Sequence, residues 1–488
     1  MRSAEHTARL AIFTGRIIFR SRGAARGAPL LLVPLTLLAL AAPLPASEFA
    51  FITTTDYSSG SSSVIRLDGS YTAEPNVESI CSDAVARYHD GLIYVVNRMG
   101  CDNIQVLDPS DGFSTLRQFS VGAGSDPHDI AFVSGTKAYV SRGNGTELLI
   151  VDPSTGAHLG AIDLSIFADA DGLPEMDCML LVGDLLFVSI QRLDRNNYWL
   201  PVPPSFLAVV DTGADTLYDC DTDTPGVQAV ALAGTDPFGE LHFDPYTGLV
   251  YLTTVGWWGV LDCGVEIVDP SALASAGFIL TEEAAGGDVN DVAVLSPTTG
   301  YAIVTNAAFD NLLVRFDPST GSLTDTLYAP GGYMLADIEI SPQGDLFVCD
   351  RKATDPGIRI YDALSGGAVT AGTIDVGLPP FDIAFSAPVQ TGAGTPPASA
   401  LMGVYPNPFN PAARIVFSLE RGGAAELVLF DASGRRVREL AAGDFPAGRH
   451  EVLWDGRNDR GLPAASGVYF ARLRHGGSSG ALKLVLIR

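Results

Sequence analysis

The chain has 488 residues, of which 47% are hydrophobic and 9% aromatic, and this composition excludes a disordered chain or a single ordinary core. Its formal net charge of −26 is uneven: residues 1–47 carry +5, residues 48–400 carry 47 acidic against 12 basic side chains, and residues 401–488 carry +4. Because residues 48–400 are so acidic, they repel nucleic acid and anionic lipid and favour cations or basic partners. The same charge would also suit an exported surface that only has to stay soluble.

The first 46 residues predict a secretory signal peptide. Met1–Ala28 is rich in arginine, and Leu30–Ala42 is an apolar run too short to span a bilayer comfortably. Ala39-Leu-Ala41 and Leu44-Pro-Ala46 are alternative cleavage sites. No cysteine follows before Cys81, which argues against a lipoprotein anchor, and no second apolar span occurs. We expect a monomeric mature chain without a transmembrane span, secreted or on the cell surface of a Gram-negative-type bacterium.

A repeated pattern predicts an all-β fold, a seven-bladed β-propeller over residues 47–386. One unit, residues 126–156, holds three β-rich runs separated by Gly, Ser and Asn turns. The aspartate that ends each third strand recurs at intervals of 40, 44, 59, 58, 48 and 45 residues, at Asp68, Asp108, Asp152, Asp211, Asp269, Asp317 and Asp362. The mature chain begins at Phe49 with a strand that would be the second of its blade. The final strand of the repeat region, Asp382–Phe385, would be the first strand of a blade. We expect these ends to pair and close the ring.

Residues 387–400 have no periodic pattern and predict a linker. Residues 401–488 predict a small Ig-like β-sandwich, because about seven short alternating runs fit into fewer than 90 residues. These runs are Gly403–Tyr405, Arg414–Leu419, Ala425–Phe430, Arg436–Leu440, His450–Trp454, Val468–Leu473 and Leu482–Ile487.

Three motifs of the repeat carry a family resemblance. Asp126-Pro-His-Asp-Ile-Ala-Phe132, Ala138-Tyr-Val-Ser141 and Leu149-Ile-Val-Asp-Pro-Ser-Thr-Gly156 resemble bacterial YVTN-type surface propellers, which are related to NHL-repeat proteins. The resemblance implies a propeller fold. It implies no single function, since this architecture serves adhesion, ligand binding, lyases and lactonases.

The C-terminal segment resembles two families that share a fold. Val404-Tyr-Pro-Asn-Pro-Phe-Asn-Pro411, Leu429-Phe-Asp-Ala-Ser-Gly-Arg-Arg436, Gly467-Val-Tyr469 and Lys483–Arg488 look like the type IX secretion sorting domain. Trp454-Asp-Gly-Arg-Asn-Asp-Arg-Gly461 instead looks like the Ig-like domain of the flagellar hook-capping protein. The first resemblance implies delivery to the surface by an export machine, and the second implies a structural or adhesive module.

An acidic residue opens each predicted first strand. If the seven share one structural position, they form a ring near the mouth of the channel that could recruit calcium. Alternatively, each carboxylate accepts backbone N–H bonds from its own blade. The residues are Asp83, Asp129, Asp177, Glu240, Asp291, Asp337 and Asp382.

Basic and aromatic side chains supply further candidates for ligand binding. Arginines end four second strands, where they could pair with the acidic ring or clamp an anionic group of a ligand. These are Arg98, Arg142, Arg192 and Arg351, and His128 could also face the channel. Inserts at Gln191–Ser205 and Asp219–Pro237 lengthen two blades. Together with Trp257 and Trp258, the aromatic insert residues predict a recognition surface, unless they pack on each other.

The six cysteines belong to an exported chain and are candidates for disulfides. Cys81 precedes a first strand and Cys101 follows the second strand of the same unit, while Cys220 and Cys263 stand in a looser version of this relationship. We therefore predict the disulfides Cys81–Cys101 and Cys220–Cys263. Cys178 and Cys349 fall inside strands and are expected to be buried thiols.

These features predict an exported propeller that binds a cell-surface protein or a glycan, delivered through its C-terminal domain by the export machinery. The alternative is a metal-dependent hydrolase or lyase, with calcium at the channel mouth. No Ser-His-Asp order, zinc-ligand spacing, phosphate loop or dinucleotide motif stands out, so no catalytic residue is assigned.

Overall fold

The computed structural model describes residues 48–221, 223–224, 226–244, 247–386, 399–405, 413–419, 422–431, 434–445, 448–475 and 478–486. The predicted signal peptide and most of the predicted linker lie outside these residues. The described residues are almost entirely β-structure, with one helix, α1 (Glu282–Ala285), and three short 3-10 turns at Pro109–Asp111, Ser165–Phe167 and Arg195–Asn197. No helix within the described ranges is long and apolar enough to cross a membrane.

The first four sheets are antiparallel and follow one another in the chain. The first holds β1 (Phe49–Thr55), β2 (Gly60–Arg66) and β3 (Ala73–Ile80), and the second holds β4 (Ala84–His89), β5 (Leu92–Asn97), β6 (Asn103–Asp108) and β7 (Ser114–Ser120). The third holds β8 (Pro127–Ser134), β9 (Lys137–Arg142), β10 (Glu147–Asp152) and β11 (Ala157–Asp163). The fourth holds β12 (Met176–Val182), β13 (Leu185–Ile190), β16 (Phe206–Asp211), β17 (Thr216–Leu217) and β18 (Ala229–Ala231), with β14 (Leu193–Asp194) and β15 (Leu200–Pro201) forming a separate hairpin.

Three more sheets complete residues 48–386. The fifth holds β19 (Pro237–Asp244), β20 (Leu249–Thr254), β21 (Gly264–Asp269) and β22 (Ala274–Thr281). The sixth holds β23 (Gly287–Ser296), β24 (Thr299–Asn306), β25 (Asn311–Asp317) and β26 (Ser322–Tyr328), and the seventh holds β27 (Leu335–Ile340), β28 (Asp345–Asp350) and β29 (Gly357–Asp362). The last strand, β30 (Pro380–Phe385), pairs with β1 and so joins the first sheet. The predicted pairing of the two chain ends is confirmed.

Hydrophobic clusters fill the spaces between consecutive sheets. Leu148 of the third sheet and Met176 of the fourth belong to one such cluster. Phe347 of the seventh sheet and Ile65 of the first belong to another, so the packing returns to its starting point. Alternating strand residues supply these side chains, and closing the circle leaves no sheet with an uncovered face at either end of the order. The fold is therefore a closed β-propeller.

The aspartates whose spacing predicted the repeat have a local structural role. Asp152 ends β10, and its Oδ1 accepts hydrogen bonds from the backbone N–H (2.8 Å) and hydroxyl (2.6 Å) of Ser154. Carboxylates that bind the backbone two residues later stabilise tight turns. Asp68, Asp108, Asp269, Asp317 and Asp362 bind a following serine in the same way, and Asp211 accepts from Gly213 and Ala214.

The C-terminal segment forms two antiparallel sheets. One holds β31 (Ser399–Tyr405), β32 (Ala413–Leu419) and β35 (Gly448–Trp454), and the other holds β33 (Gly423–Asp431), β34 (Arg436–Phe445), β36 (Gly467–His475) and β37 (Ser478–Leu486). Each overlaps one of the seven predicted strands. Trp454 is fully buried in the core, its Nε1 donates to the carbonyl of Arg457 (2.8 Å), and its ring meets Tyr469 edge to face. The Trp-Asp-Gly element is thus a core anchor followed by a turn.

One of the two predicted disulfides is present. Cys81 and Cys101 are bonded across a separation of 20 residues. Cys178 and Cys349 are free thiols within β12 and β28, and Cys349 is buried as expected while Cys178 is partly exposed.

The predicted disulfide between Cys220 and Cys263 is wrong, because both residues are free thiols. Thr235 lies just before β19, at the place that Cys81 occupies before β4. The partner of Cys263 is therefore Thr235, whose N–H donates a hydrogen bond to the sulfur of Cys263 (3.5 Å). The insert that contains Cys220 places it between β17 and β18 of the fourth sheet, away from the start of β19.

Replacing both Cys81 and Cys101 by serine should lower the free energy of unfolding by about 3 kcal/mol, because the bond restricts a loop of about 20 residues in the unfolded chain. Urea titration of the two forms measures this difference. Replacing Cys220 and Cys263 by serine should leave the unfolding midpoint nearly unchanged. A large loss in that control pair, or none in the first, would contradict the assignment.

Candidate functional site

A cavity of about 530 Å³ lies among the starts of the first strands of the sheets. Its wall combines carboxylates, arginines and exposed aromatic rings. Concave sites of this size that combine apolar surface with a few polar groups are where small ligands usually bind. The cavity is therefore the candidate site, and the sequence-predicted residues can be placed against it.

Four carboxylates of the predicted ring connect neighbouring sheets. Asp129 accepts the backbone N–H of Met179, and Asp291 accepts that of Ile338, at 2.8 and 2.9 Å. Asp337 and Asp382 make the same bond, to Ile383 and Ala86. In each case this donor belongs to the first strand of the next sheet, while Asp129 and Asp291 also accept an N–H from their own strand, that of Ile130 and of Val292, both at 2.8 Å. These carboxylates therefore tie the sheets together around the circle.

The linking bond places only four of the seven predicted acids at one position, and Glu240 binds Arg87 instead. Each linking carboxylate binds the N–H of the residue that comes directly after the linking position of the next strand. Asp291, for example, binds the N–H of Ile338, which comes directly after Asp337. The linking position is occupied by Val85 in β4 and Cys178 in β12. Asp83 and Asp177 lie one or two residues earlier. They line the cavity and bind Arg98 and His128 instead.

Arg87 is the central basic group, and sequence reasoning missed it. Its guanidinium lies 2.8 Å from a carboxylate oxygen of Asp129, 2.6 Å from Glu240 and 3.7 Å from Asp382. Burial raises the pKa of Asp382 to about 7 even though the charge of Arg87 opposes the shift. One arginine thus neutralises part of a larger group of carboxylates.

Three further carboxyl groups have no basic ion-pair partner within the described residues. Burial, together with the charges of Asp291 and Asp382, raises the pKa of Asp337. Burial and the charge of Glu240 raise the pKa of Asp291 to about 7, although backbone N–H bonds oppose the shift. Glu339, on β27, likewise has a raised pKa from burial and from Glu240. This side of the cavity therefore carries an excess of acidic groups.

Of the four predicted arginines, only Arg98 pairs with a predicted acid, at 2.6 Å from Asp83. Arg351 donates to the carbonyls of Pro379, Pro380 and Thr55, although it also lines the cavity. Arg142 and Arg192 lie outside the cavity wall and donate to backbone carbonyls, including those of Val121, Glu147 and Pro204. The predicted clamp of four arginines is therefore wrong, because backbone carbonyls already use most of these donors.

His128 is held between two carboxylates on the cavity wall. Its Nδ1 lies 2.7 Å from Asp177 and its Nε2 lies 3.5 Å from Asp126. Burial acts to lower its pKa, but the hydrogen bonds to Asp126 and Asp177 prevail and raise it to about 9. At neutral pH His128 is therefore a cation with both nitrogens engaged, which suits a structural or electrostatic role better than proton transfer.

Aromatic side chains surround the opening of the cavity. Tyr57 and Tyr333 line it and are 69% and 50% exposed. Trp258 is partly buried between Phe238 (ring centroids 5.8 Å apart) and Tyr333 (6.2 Å). Trp257 is 55% exposed and lies outside the cavity wall. Of the two predicted tryptophans, Trp258 thus supports the opening.

The insert of the fourth sheet also reaches the cavity. Trp199 lines it, with the guanidinium carbon of Arg195 lying 4.6 Å from the ring centroid. Arg195 also binds Glu175 at 3.1 Å. Burial raises the pKa of Glu175 to about 7, although the N–H of Leu193 opposes the shift. The insert therefore adds an aromatic–cation–carboxylate group to the wall.

A compact acidic cluster lies outside the predicted ring. One carboxylate oxygen each from Asp169, Asp171 and Glu175 lie within 4.8 Å of one another, a spacing that oxygen ligands of a metal ion could adopt. Within the described residues no member of the predicted ring belongs to such a group of three. Calcium binding by the ring stays a prediction.

Part of the site had no signal in the sequence. Arg87 and Glu339 each lie two residues after the ring position of their strand, so strand alternation places them on the same face. An arginine inside an otherwise apolar first strand was the available signal for Arg87. Tyr333 and Phe238 gave none, because only the fold brings their loops together.

Fold and site together define a class: a closed β-propeller with a ligand-sized cavity among its first strands, and an Ig-like β-sandwich in the C-terminal part of the chain. Residues 412–475 match the FlgD Ig-like domain family. This match supports the predicted Ig-like fold of the C-terminal segment and covers the Trp454 turn. No curated protein sequence matches the chain.

Solved structures with a similar fold come from several bacteria. PorZ, an essential surface component of the type IX secretion system of Porphyromonas gingivalis, is 15% identical over 88% of this chain, with a TM-score of 0.40. The match covers 63% of PorZ, less than two thirds of its length. The periplasmic gluconolactonase PpgL of Pseudomonas aeruginosa (14%, TM-score 0.48) and apo AztD of Citrobacter koseri (14%, TM-score 0.43) each match over 70% of this chain and 99% and 98% of their own. Such low similarity identifies neither ligand nor activity.

Proposed function

We propose that the chain is an exported seven-bladed propeller that binds a small ligand in the cavity and that residues 401–488 deliver it to the cell surface. Domain boundaries at residues 46, 386 and 400 belong to this proposal. The observation that carries it is the cavity itself, whose aromatic opening and charged wall offer both contact area and orientation. A cavity of this volume suits a small molecule or a single residue of a glycan or protein.

The hydrogen bonds of the ring carboxylates favour a binding function over that of a metal-dependent hydrolase or lyase. Asp129, Asp291, Asp337 and Asp382 each accept a backbone N–H from the next sheet. A metal at the ring would compete with these bonds and would have to displace Arg87 from Glu240. Rigid side chains around an open cavity serve recognition without such rearrangement.

Small molecules of contrasting charge test the proposal: amines, neutral sugars, carboxylic acids and a lactone, each titrated into the full chain by calorimetry. We expect at least one class to bind and Ala336→Trp, which places an indole in the cavity wall, to abolish that binding. Leu159→Trp on the exposed strand β11 is the matched control and should bind normally. If the wild-type protein hydrolyses the lactone and Ala336→Trp does not, the result would favour the metal-dependent hydrolase or lyase instead.

The delivery part of the proposal predicts a large change in location. Deleting residues 401–488 should leave a propeller that unfolds at a normal temperature but accumulates in the periplasm of the native host. Protease accessibility on intact cells measures surface exposure, and fusing these residues to an unrelated exported protein is the reciprocal experiment. Surface exposure of the truncated protein would show that the Ig-like segment is a structural or adhesive module and not an address.

A further inference from the structure

We infer that the side of the cavity beside Phe238, Trp258 and Tyr333 binds a small organic cation that carries an oxygen acceptor close to its charge. This inference rests on the proposed function and names the chemical class of its ligand. The three aromatic residues are called the aromatic wall below.

Neighbouring parts of the cavity wall show how this protein places a cation on an aromatic ring, and one of them adjoins Tyr333, since the N–H of Arg351 donates to the carbonyl of Met334 (2.7 Å). The guanidinium of Arg195 lies over Trp199 and binds Glu175 at 3.1 Å. The guanidinium of Arg351 lies over Tyr57, 4.6 Å from its ring centroid. Cations over aromatic faces are held by the ring quadrupole, and more strongly when a carboxylate completes the site. The protein itself supplies the cations in those parts of the wall.

The aromatic wall has the aromatic and acidic members of such an arrangement without the cation. Burial raises the pKa of Tyr333, and the nearby Tyr57, Asp291 and Asp288 raise it further. Within the described residues no basic side chain stacks on Phe238, Trp258 or Tyr333, whereas Trp199 and Tyr57 each carry one. Buried acidic groups without a cation are unfavourable, and a cationic ligand would relieve them.

An unpaired amide gives independent evidence for a ligand here. Asn290 lines the cavity and is only 5% exposed, and its Nδ2 is buried without a hydrogen-bond partner. Its Oδ1 accepts a hydrogen bond from the hydroxyl of Thr305, and its NH₂ group is a donor without an acceptor. An unsatisfied buried donor costs about 1–3 kcal/mol, and an oxygen on the ligand would recover this. The Nδ2 is buried behind the wall, so a rotation of the side chain would be needed for a hydroxyl or carbonyl next to the ligand's charge to accept from it.

An organic cation fits the site better than a metal ion. Calcium requires six to eight oxygen ligands around one point, and the carboxylates beside the aromatic wall do not form a compact group of three within the described residues. An ammonium or guanidinium group instead spreads its charge and presents apolar surface to aromatic rings. The aromatic wall suits such a ligand.

The surrounding charges set the conditions for binding. Asp291 and Asp337 lie close enough for the charge of Asp291 to raise the pKa of Asp337, Glu240, Glu339 and Asp382 add negative charge, and Arg87 opposes it. The pKa values of Asp291 and Asp337 are both raised, so protons compete with a cation for these two carboxylates. A cation would displace these protons, so titrations belong at pH 8, where fewer protons compete.

Calorimetric titration of the full chain with choline, glucosamine and arginine amide tests the inference, with 3,3-dimethylbutanol and glucose as neutral counterparts. We expect at least one cation to bind tenfold or more tightly than its neutral counterpart. Asp337→Asn keeps an acceptor for the Ile383 N–H but removes the charge, and Tyr333→Leu removes the aromatic face. Each should weaken cation binding at least tenfold, whereas Asp325→Asn and Tyr218→Leu, on exposed positions outside the cavity, should not.

The possible results separate this inference from the proposed function. Equal binding of a cation and its neutral counterpart, or full affinity in Asp337→Asn, would overturn the cation assignment. Binding of neutral or acidic molecules alone, lost in Ala336→Trp, would overturn it while leaving the proposed function standing. Calcium binding that Asp337→Asn abolishes, without binding of any organic cation, would replace it with a metal site. If nothing binds at 10 mM, both the inference and the proposed function fail.

Discussion

Replacing Arg87 by methionine should lower the free energy of unfolding by about 3–5 kcal/mol at pH 7, because it leaves buried carboxylates without their counter-charge. The guanidinium contacts Asp129, Glu240 and Asp382, and its side chain is 20% exposed. Methionine keeps most of the apolar stem, so the loss reports the charge and not a cavity. The defect should shrink as the pH falls towards 5, since protonated carboxyl groups no longer need the arginine.

Urea titration monitored by circular dichroism measures this loss. Arg66→Met is the matched control, because Arg66 pairs with Glu74 on the surface and is 46% exposed. Exposed ion pairs contribute about 0–1 kcal/mol, so the control should change little. Equal small effects in both variants would contradict the role given to Arg87, as would a defect that grows at lower pH.

The second large effect is a fall in stability as the pH rises from 5 to 8. Burial raises the pKa of Asp236, Asp291, Asp382, Glu175 and Glu282 to about 7, and carboxylate partners raise that of His128, against its burial, to about 9. In this range the folded state binds more protons than the unfolded state. Raised pKa values give stability that is present at low pH and lost as the pH rises through the folded values. One such carboxyl group loses about 2–3 kcal/mol of stabilisation between pH 5 and 8, so we expect a total loss of more than about 5 kcal/mol.

Unfolding free energies measured at half-unit intervals between pH 5 and 8 check this prediction. Asp236→Asn should make the dependence shallower, because it removes a group whose pKa is about 7 in the folded state. Asp325→Asn, on the exposed surface, should leave the slope unchanged. Stability that rises with pH across this range would show that the buried carboxyl groups are already charged in the folded protein.

The fold could be predicted from sequence because its local rules repeat. An aspartate recurs at the end of each third strand, four times as Asp-Pro-Ser. The structure shows why, since the carboxylate binds the turn that follows. Strand alternation and turn residues also identified the strands of the Ig-like segment. The Cys81–Cys101 pair was visible because both residues keep their standard places around β4 and β5.

The site could be predicted only in part, because its contacts are non-local. An acidic residue near a strand start does not reveal that its hydrogen bond goes to the next sheet, as for Asp129 and Met179. The insert moved Cys220 out of register, which a count along the chain could not detect. Arginines at strand ends were visible, but the carbonyls that occupy Arg142 and Arg192 were not. Placing Tyr333 beside Phe238 and Trp258 required the fold.

Native mass spectrometry of the full chain, incubated with small-molecule extract from its native host, tests the central claim most directly. The account predicts a bound species of small-molecule mass that is absent from Ala336→Trp and retained by Leu159→Trp. It also predicts that the bound molecule carries an amine or guanidinium group. A ligand-free wild-type protein, or equal binding by Ala336→Trp, would contradict the claim that the cavity among the first strands is the functional site.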